Sequence, residues 1–386
     1  MKDVKIVVGA NYGDEGKGLL TRHFVLDAIQ SNKNPIVVLH NGTAQRGHTV
    51  DYNPNFRHVF HHFGSGSLDG APTFFASSFW VHPMEYAREY MELWSKGFKP
   101  SKCYCDPDAY VITPFDMLVD HATEDWIEIK NGEREYASCG YGTWCATSRY
   151  PKACFTVRDF YKYHNSMYVE HMLHEAWVAC VEQLVSRGVD VEKMPQYKDL
   201  ISGDLQITIH NFIMDLRLFF NTVEIISFDS LYEDRSFDSY VFENGQGLGL
   251  DTNSGNEWNT TSHTGIYNPL CMLNARNDFN AEVCYVTRSY LTRHGIGTLE
   301  EETKKDEINS CINDRTNLHN EFQGSLRYGY LDDKEQKKRI IKDWSIVDAD
   351  CRFKKTMAVT HCNEFEDTYK TAEYMSRNPY SVIKRG

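Results

Sequence analysis

The sequence lacks several features that mark particular classes of protein. It has no excess of positive charge, because 41 Lys and Arg stand against 54 Asp and Glu, a formal net charge of −13 over 386 residues. Dedicated DNA- and RNA-binding proteins need a basic surface, so we expect no nucleic-acid partner. No run approaches the roughly 18–20 apolar residues of a membrane span, and the charged start with its short apolar run does not fit a signal peptide. We therefore expect a cytoplasmic protein without a membrane anchor.

Paired cysteines and zinc-binding patterns are also missing. The chain has 11 cysteines, an odd number, and none of them forms a CxxC motif. Disulfide frameworks belong to short secreted chains, so we expect reduced thiols throughout. Cys103 and Cys105 are separated by one residue, a spacing typical of an edge strand. No ligand spacing of a zinc site is present, so the sequence does not favour zinc.

The composition, with 41% apolar and 25% charged residues, is normal for a folded globular protein. Short apolar runs alternate with longer helical patterns, which indicates an α/β fold with a mainly parallel sheet. No repeat, low-complexity tract or linker divides the chain, so we expect a single large domain over residues 1–386, with a central sheet flanked by helices. The predicted strands are 5–9, 35–40, 240–243, 283–287 and 356–360, and the predicted helices are 16–29, 84–96, 117–126, 159–188 and 204–220.

The strongest motif is a glycine-rich loop, Gly-Ala-Asn-Tyr-Gly-Asp-Glu-Gly-Lys-Gly at 9–18, between the first strand and the first helix. Its backbone N–H groups and the helix N-terminus favour an anion, and Lys17 would add a full charge. Gly18 stands where a Walker A motif has Ser or Thr. Asp14 is the natural replacement as a Mg²⁺ ligand, because Mg²⁺ prefers hard oxygen ligands. The alternative is a glycine-rich turn with a solvated Asp14–Glu15 pair.

The segment Tyr-Gly-Asp-Glu-Gly-Lys-Gly at 12–18 resembles the Trp-Gly-Asp-Glu-Gly-Lys-Gly signature of the adenylosuccinate synthetase family. Further segments resemble family motifs in the same order, at 45–49, 242–247, 292–297 and 320–332, with poor matching between them. The family joins a purine 6-oxo nucleotide to L-aspartate, driven by a nucleoside triphosphate. The resemblance implies an adenylosuccinate-synthetase-like fold related to P-loop proteins, Mg²⁺ as cofactor, and a homodimer. In that dimer Arg149 or Lys152 would reach the partner's substrate phosphate.

The resemblance also assigns roles to individual residues. Asp14 matches the base that removes the purine N1 proton, and it would bind Mg²⁺ together with the carbonyl of Gly47. His48 matches the histidine that hydrogen-bonds the phosphoryl group in flight. Gln246 matches the residue that faces O6, where an amide stabilises the developing oxyanion. The residues predicted to bind phosphate or nucleotide are Gly13, Glu15, Gly16, Lys17, Gly18, Gly47, Thr49 and Asn363, and those predicted to bind substrate are Gln45, Ser138, Cys139, Thr261, Arg293 and Arg327.

These assignments have structural alternatives. A lone histidine is more often structural than catalytic, and the Gly-His-Thr context after a strand is what favours a catalytic role for His48. The alternative role for Gln246 is that of a turn residue in a glycine-rich loop. The match of Ser138 and Cys139 to the family's Thr-Thr-Gly phosphate contact is weak.

One departure from the family concerns the triphosphate base. Asn363 stands where the family has Asp. A carboxylate accepts hydrogen bonds from guanine N1–H and N2–H₂, whereas an amide offers one donor and one acceptor to the N1 and N6 edge of adenine. We therefore expect ATP or dATP as the phosphoryl donor.

Two other departures concern the substrates. The family's Thr-Thr-Gly-Arg-Arg-Arg-Arg run is reduced to Gln-Gly-Ser-Leu-Arg at 323–327, so only Arg327 remains to bind a carboxylate bidentately. Arg293 and Arg46 are candidates to compensate. Gln45-Arg46 also replaces Asn-Ala before Gly-His-Thr, which indicates a rebuilt phosphate or sugar site.

These departures resemble the phage branch of the family, the aminoadenylosuccinate synthetases, which act on dGMP on the way to diaminopurine DNA and favour an adenine triphosphate. Asp14 argues against that branch, because many of its members carry Ser there. Three functions stay open: a ligase for dGMP, a ligase for IMP, and a nucleotide-binding protein without catalysis. The last predicts loss of Asp14, Lys17 or His48, and all three are present. The 2-substituent of the purine and the kind of sugar are not encoded in any motif.

Overall fold

The computed structural model describes residues 1–163, 167–256, 258–347, 349–365 and 371–385. The strands are β1 (Lys2–Gly9), β2 (Pro35–Leu39), β3 (His48–Asn53), β4 (Phe56–Phe60), β5 (Thr73–Phe75), β6 (Cys103–Cys105), β7 (Val223–Ile225), β8 (Ser239–Gly247), β9 (Phe279–Arg288), β10 (Leu291–Arg293), β11 (Glu302–Thr303), β12 (Arg327–Gly329), β13 (Phe353–Thr360), β14 (Tyr374–Asn378) and β15 (Ser381–Lys384). The α-helices are α1 (Lys17–Gln30), α2 (Pro83–Ser95), α3 (Pro114–Asn131), α4 (Thr143–Ser148), α5 (Val157–Tyr163), α6 (Tyr168–Ser186), α7 (Lys198–Ser202), α8 (Gln206–Thr222), α9 (Phe228–Glu233), α10 (Tyr267–Leu273), α11 (Lys305–Asn309) and α12 (Asp333–Trp344).

Ten of the strands form one central sheet in the order β15-β14-β13-β9-β1-β8-β2-β5-β6-β7. Every neighbouring pair from β14 to β7 is parallel, and only β15 joins antiparallel to β14. Parallel neighbours need crossover connections, which helices usually supply. The predicted α/β class with a mainly parallel central sheet is confirmed.

The sheet is buried on both faces, as alternation along β1 and β2 illustrates. Val7 and Val37 pack on one face in a core that includes side chains of α1, α2, α3, α6 and α8. Ile6 and Ile36 point to the other face, where α9, α10 and α12 contribute the apolar partners. Strands covered on both faces read as near-continuous apolar runs, which is why the sequence reveals them.

Each of the predicted strands and helices overlaps an observed element, but two details of the prediction are wrong. The predicted helix over 159–188 is two helices, because α5 ends at Tyr163 and α6 begins at Tyr168. Residues 164–166 of that prediction lie outside the described residues. Cys103 and Cys105 belong to β6, which is not the edge strand, since β7 pairs on its outer side. The short strand β7 directly follows α8 and is too brief for its periodicity to be visible.

The eleven cysteines all lie in the described ranges, and none of them forms a disulfide there. Over the same ranges, no helix has the combined length and apolar character needed to cross a bilayer.

The loops at the carboxyl ends of the central strands converge on one region. Gly9, the last residue of β1, is in register with Gly247 of β8 and with Val286 of β9. The glycine-rich loop after β1 therefore starts beside the end of β8. In open parallel sheets, ligands bind outside these carboxyl ends.

Candidate active site

The loop between β1 and α1 is built around a buried carboxylate. Glu15 accepts hydrogen bonds from the backbone N–H groups of Asn11 at 3.1 Å and Gly13 at 2.8 Å. Its other oxygen, Oε2, lies 2.7 Å from Nζ of Lys17. Gly16, just before α1, has φ 88°, and a Cβ there would lie 3.1 Å from Cγ2 of Thr360. Glu15 thus holds the loop from within, and Lys17 begins α1 with its charge already paired.

Two of the predicted catalytic residues have a left-handed backbone. Asp14 has φ 59° and Gln246 has φ 62°. Such a conformation costs a non-glycine residue about 1–3 kcal/mol and is concentrated at functional sites. Arg288 donates from Nε to the carbonyl of Asp14 at 2.5 Å and fixes the loop, while Oδ2 of Asp14 lies 3.6 Å from Nε2 of His294. Both unusual residues line the same cavity.

His48, at the start of β3, is held by a buried carboxylate. Nδ1 of His48 lies 2.7 Å from Oε1 of Glu243, and Nη2 of Arg46 lies 2.6 Å from Oε2 of Glu243. Ser65 also donates to Glu243, from its backbone N–H at 3.2 Å and from its hydroxyl. Glu243 lies in β8, aligned with Leu39 of β2. The cluster therefore connects the end of β2, the start of β3 and the interior of β8.

The protonation of this cluster follows from its charges. Burial would raise the pKa of Glu243, but Arg46 and His48 outweigh burial and hold that pKa well below its usual range. Burial, followed by the charge of Arg46, lowers the pKa of His48 to about 4. Glu243 is thus a carboxylate and His48 is neutral at pH 7. A carboxylate only accepts hydrogen bonds, so Nδ1 of His48 carries the proton and Nε2 remains for a ligand.

Three adjoining cavities surround these residues. The central cavity, about 600 Å³, is lined by Gly13, Asp14, Lys17, Gln45, Gly47, His48, Cys139 and Gln246. The P-loop cavity, about 190 Å³, shares Asp14, Lys17, Gly47 and His48 with it and adds Gly16, Gly18, Thr49 and Asn363. The side cavity, about 150 Å³, shares Gln45, Cys139 and Gln246 with the central cavity and adds Ser138, Thr261 and Arg293. The structure thus brings most of the predicted site residues to one connected space.

Glu15 and Arg327 do not line these cavities. Arg327 donates from Nε to Oε1 of Glu302 at 2.8 Å, and from Nη1 to the carbonyls of Gly295 at 3.0 Å and Gly297 at 2.8 Å. It therefore holds the 295–297 turn, which borders the side cavity. Arg293 does line the side cavity, although Nη1 donates to the carbonyl of Thr298 at 2.7 Å.

The other basic residues singled out from the sequence pair with carboxylates of the same chain. Arg46 is bound to Glu243. Arg149 is buried and donates from both Nε and Nη2 to the carboxylate of Asp116, at 2.8 Å each. Lys152 is exposed and paired with Glu182. Arg149 is therefore used inside its own chain in this conformation.

Sequence reasoning missed several residues of the site. Ser376 and Asn378, at the end of β14, line the P-loop cavity beside Asn363. Their position at the end of a parallel strand could have identified them as site residues, but that strand was not predicted. Glu243 belongs to a segment that resembles a family motif. Its place inside a buried apolar strand could have identified it as a site residue. His294 stands where the resembled motif has Val and lines the central and side cavities.

A glycine-rich loop and a buried histidine at the carboxyl edge of a parallel sheet are typical of nucleotide-dependent α/β enzymes. The family model "Adenylosuccinate synthetase" matches residues 6–342. The chain belongs to the adenylosuccinate synthetase family, whose members are ligases that form a C–N bond.

Individual relatives are distant. The adenylosuccinate synthetase of Clostridium botulinum strain Alaska E43 is 25% identical over 334 residues, which cover 85% of this chain and 72% of that protein. The Streptomyces griseus enzyme is 25% identical over 312 residues, covering 77% of this chain and 65% of that protein.

Two solved structures share the fold. Fully ligated adenylosuccinate synthetase from Plasmodium falciparum superposes with a TM-score of 0.65 at 19% identity, covering 93% of this chain and 77% of the other. The succinoaminodeoxyadenylate synthetase of cyanophage S-2L, bound to dGMP and to dATP as an energy donor, gives a TM-score of 0.63 at 13% identity. It covers 100% of this chain and 95% of the other.

Proposed function

We propose that this protein condenses dGMP with L-aspartate at the expense of ATP or dATP, giving a 2-aminoadenylosuccinate deoxynucleotide. The observation that carries the proposal is Asn363, which stands where the family has Asp and lines the P-loop cavity together with Lys17. An amide there matches the hydrogen-bonding edge of adenine, and the family's carboxylate matches guanine. Rebuilt donor recognition is a property of the phage branch that the sequence resembles.

The chemistry follows from the residues around the central cavity. Asp14 accepts the N1 proton, so that negative charge reaches O6, and O6 attacks the terminal phosphorus while the nucleoside diphosphate leaves. The amine of L-aspartate then attacks C6, loses a proton, and expels the 6-phosphoryl group as inorganic phosphate. Gln246 would stabilise O6 as charge develops. His48 would donate to the transferred phosphoryl group through Nε2, since Nδ1 donates to Glu243. For this Nε2 must gain a proton, which the negative charge of a bound triphosphate favours.

Mg²⁺ fits the donor set of the P-loop cavity. The carboxylate of Asp14 and the carbonyl of Gly47 supply hard oxygen atoms beside Lys17. No cluster of three or more His, Cys, Asp or Glu side chains suited to a metal occurs in the described ranges. A Mg²⁺ ion would therefore complete its shell with water and nucleotide phosphates, which is its usual mode. When bound, it would neutralise phosphate charge.

A shared fold supports dGMP as the substrate. The cyanophage enzyme, bound to dGMP and dATP, has this fold over 95% of its length, against 77% for the Plasmodium enzyme. The retained Asp14 favours the second candidate, an adenylosuccinate synthetase that acts on IMP. Asp14, Lys17 and His48 all line the P-loop cavity, which supports catalysis over binding alone.

The amino-acid substrate and the assembly are also part of the proposal. L-aspartate would enter the central cavity, where Asn320, Gln323 and His121 provide polar groups. We further propose a homodimer, as in the family. Light scattering with and without nucleotides tests the assembly, and a panel of amino acids tests the choice of L-aspartate.

A product assay tests the proposed substrate. Purified protein with Mg²⁺, L-aspartate and each of ATP, dATP and GTP is incubated with dGMP, GMP or IMP, and products are identified by mass spectrometry. A succinylated product from dGMP with an adenine triphosphate is expected. Turnover of IMP alone would establish the second candidate. Nucleotide binding without any product would leave a binding protein, and Lys17→Ala is the control that should abolish turnover.

A further inference from the structure

Arg46 is an addition of this chain at the reaction centre. The resembled family motif reads Asn-Ala-Gly-His-Thr, and Arg46 stands in the place of its alanine. The guanidinium is almost completely buried, with 1% of its side chain exposed. A full charge has therefore been placed where the family motif has a methyl group, two residues before His48.

The contacts of Arg46 run to one carboxylate and one imidazole. Nη2 lies 2.6 Å from Oε2 of Glu243 and 2.8 Å from Nδ1 of His48. The contact with Glu243 is a charge-assisted hydrogen bond, which is stronger than a neutral one. Nδ1 donates its proton to Glu243, so Nη2 and Nδ1 are two donors held side by side by the same carboxylate, with no hydrogen bond between them. Arg46 itself lines the central cavity, beside Gln45 and Gly47.

Glu243 is the rigid link between the two residues. One oxygen, Oε1, accepts from His48 and from the hydroxyl of Ser65, and the other, Oε2, accepts from Arg46 and from the backbone N–H of Ser65. With both oxygens occupied, the carboxylate has one orientation. If Arg46 is removed, Oε2 loses its charged donor, and the carboxylate gains freedom to rotate away from Nδ1.

We propose that Arg46 is a positioning residue for His48: through Glu243 it fixes the imidazole so that Nε2 faces the P-loop cavity and the central cavity. The inference rests on the proposed function, in which Nε2 contacts the phosphoryl group. Misplacing a reacting group by 1 Å can cost about a hundredfold in rate. A positioning residue therefore acts on kcat and leaves substrate binding nearly unchanged.

Kinetics of Arg46→Ala test this role, with Arg22→Ala as the matched control. Arg22 is also bound bidentately by a carboxylate, that of Asp69, at 2.8 and 3.1 Å, but outside the three cavities. Arg46→Ala is expected to lower kcat about 10- to 100-fold with KM values for both nucleotides within about threefold. Arg46→Lys keeps a cation beside Glu243 and should recover part of the loss. An unchanged kcat, or an effect confined to KM, would overturn the proposal.

A second measurement separates this inference from the proposed function. Nitrogen NMR of ring-labelled histidine, assigned with His48→Gln, reports which nitrogen of His48 carries the proton, with or without turnover. Wild-type and Arg22→Ala proteins should show one tautomer, protonated at Nδ1, and Arg46→Ala should show a mixture. An unchanged His48 signal in Arg46→Ala would refute the positioning role, even if no purine nucleotide were a substrate. If Arg46→Ala does not fold, Arg46→Gln, which removes the charge but fills more of the space and keeps Glu243, carries the same test.

Discussion

The ammonium group of Lys17 lies 2.7 Å from the carboxylate of Glu15, and both side chains are at most 3% exposed. The lysine that should meet a phosphate is thus paired before any nucleotide arrives. Because Glu15 also accepts two backbone N–H groups of the loop, the pair and the loop form one unit. A bound triphosphate would share Lys17 with Glu15 and would not find it free.

Glu15→Gln should therefore destabilise the ligand-free protein. The change keeps the size of the side chain but leaves Lys17 buried without its counter-charge, which costs about 3–5 kcal/mol when a buried pair is broken. Urea unfolding with and without Mg²⁺ and ATP measures the effect, and nucleotide should restore part of the loss. Lys102→Gln, in an exposed pair with Glu224, is the control and should change stability by less than about 1 kcal/mol. Equal stability of Glu15→Gln and wild type would contradict the argument.

Asn363→Asp should move the donor preference from ATP toward GTP. A carboxylate in the P-loop cavity would accept from guanine N1–H and N2–H₂, and a good pair of such bonds is worth about 1–3 kcal/mol. The ratio of kcat/KM for GTP to that for ATP should rise about tenfold or more. Asn280→Asp adds the same charge at an exposed position of β9 and should leave the ratio unchanged. If the ratio is the same in both variants, Asn363 does not read the base.

The central sheet could be predicted because its strands are buried on both faces. Runs such as Lys2–Gly9 and Phe279–Arg288 are apolar over most of their length and end at glycine or polar residues. Strands β5, β6 and β7 have three residues each, too few for a periodic pattern to register. Their positions are set by pairing with β2 and with one another, so local sequence carries little information on them.

The residues of the candidate site also differ in how far local sequence predicts them. Asp14 and His48 could be proposed from the sequence because they stand in glycine-containing motifs that resemble those of the family. The contact of Arg46 with Glu243 joins residues 197 positions apart. That pairing depends on β8 lying beside β2, which no local pattern encodes. For Arg327 the sequence predicted a contact with substrate, which stays a prediction, and did not show that the fold pairs this residue with Glu302.

His82 should make stability depend on pH. It precedes α2, where Nδ1 accepts from the backbone N–H of Glu85 at 3.3 Å, and burial lowers its pKa from the ordinary 6.5 to about 4. The unfolded chain therefore binds more protons between these values, so the stability is present above pH 6.5 and is lost as pH falls toward 4. Once both states are protonated, the lowered pKa corresponds to about 3 kcal/mol of lost stability.

The measurement for His82 compares wild type with His82→Asn, which keeps a good N-cap. Unfolding free energies at pH 7 and pH 5 are obtained in urea for both proteins, so that contributions of other titrating groups cancel in the difference. Wild type should lose about 2 kcal/mol more than the variant on going to pH 5. If the unfolding free energies of both proteins fall by the same amount between pH 7 and pH 5, His82 is not held neutral.

Arg327→Ala and Glu302→Gln should have the same effect on the use of L-aspartate. Arg327 is bound to Glu302 and to two carbonyls of the 295–297 turn, so either change loosens that turn beside the side cavity. We expect KM for L-aspartate to rise less than about tenfold in both variants, since neither removes a direct contact with substrate and such contacts are worth about 1.5–3 kcal/mol. The response of Glu302→Gln decides whether Arg327 acts through the turn, because Glu302 carries no positive charge that could bind a carboxylate. If Arg327→Ala alone abolishes turnover while Glu302→Gln stays active, Arg327 leaves Glu302 during catalysis and binds the amino acid itself.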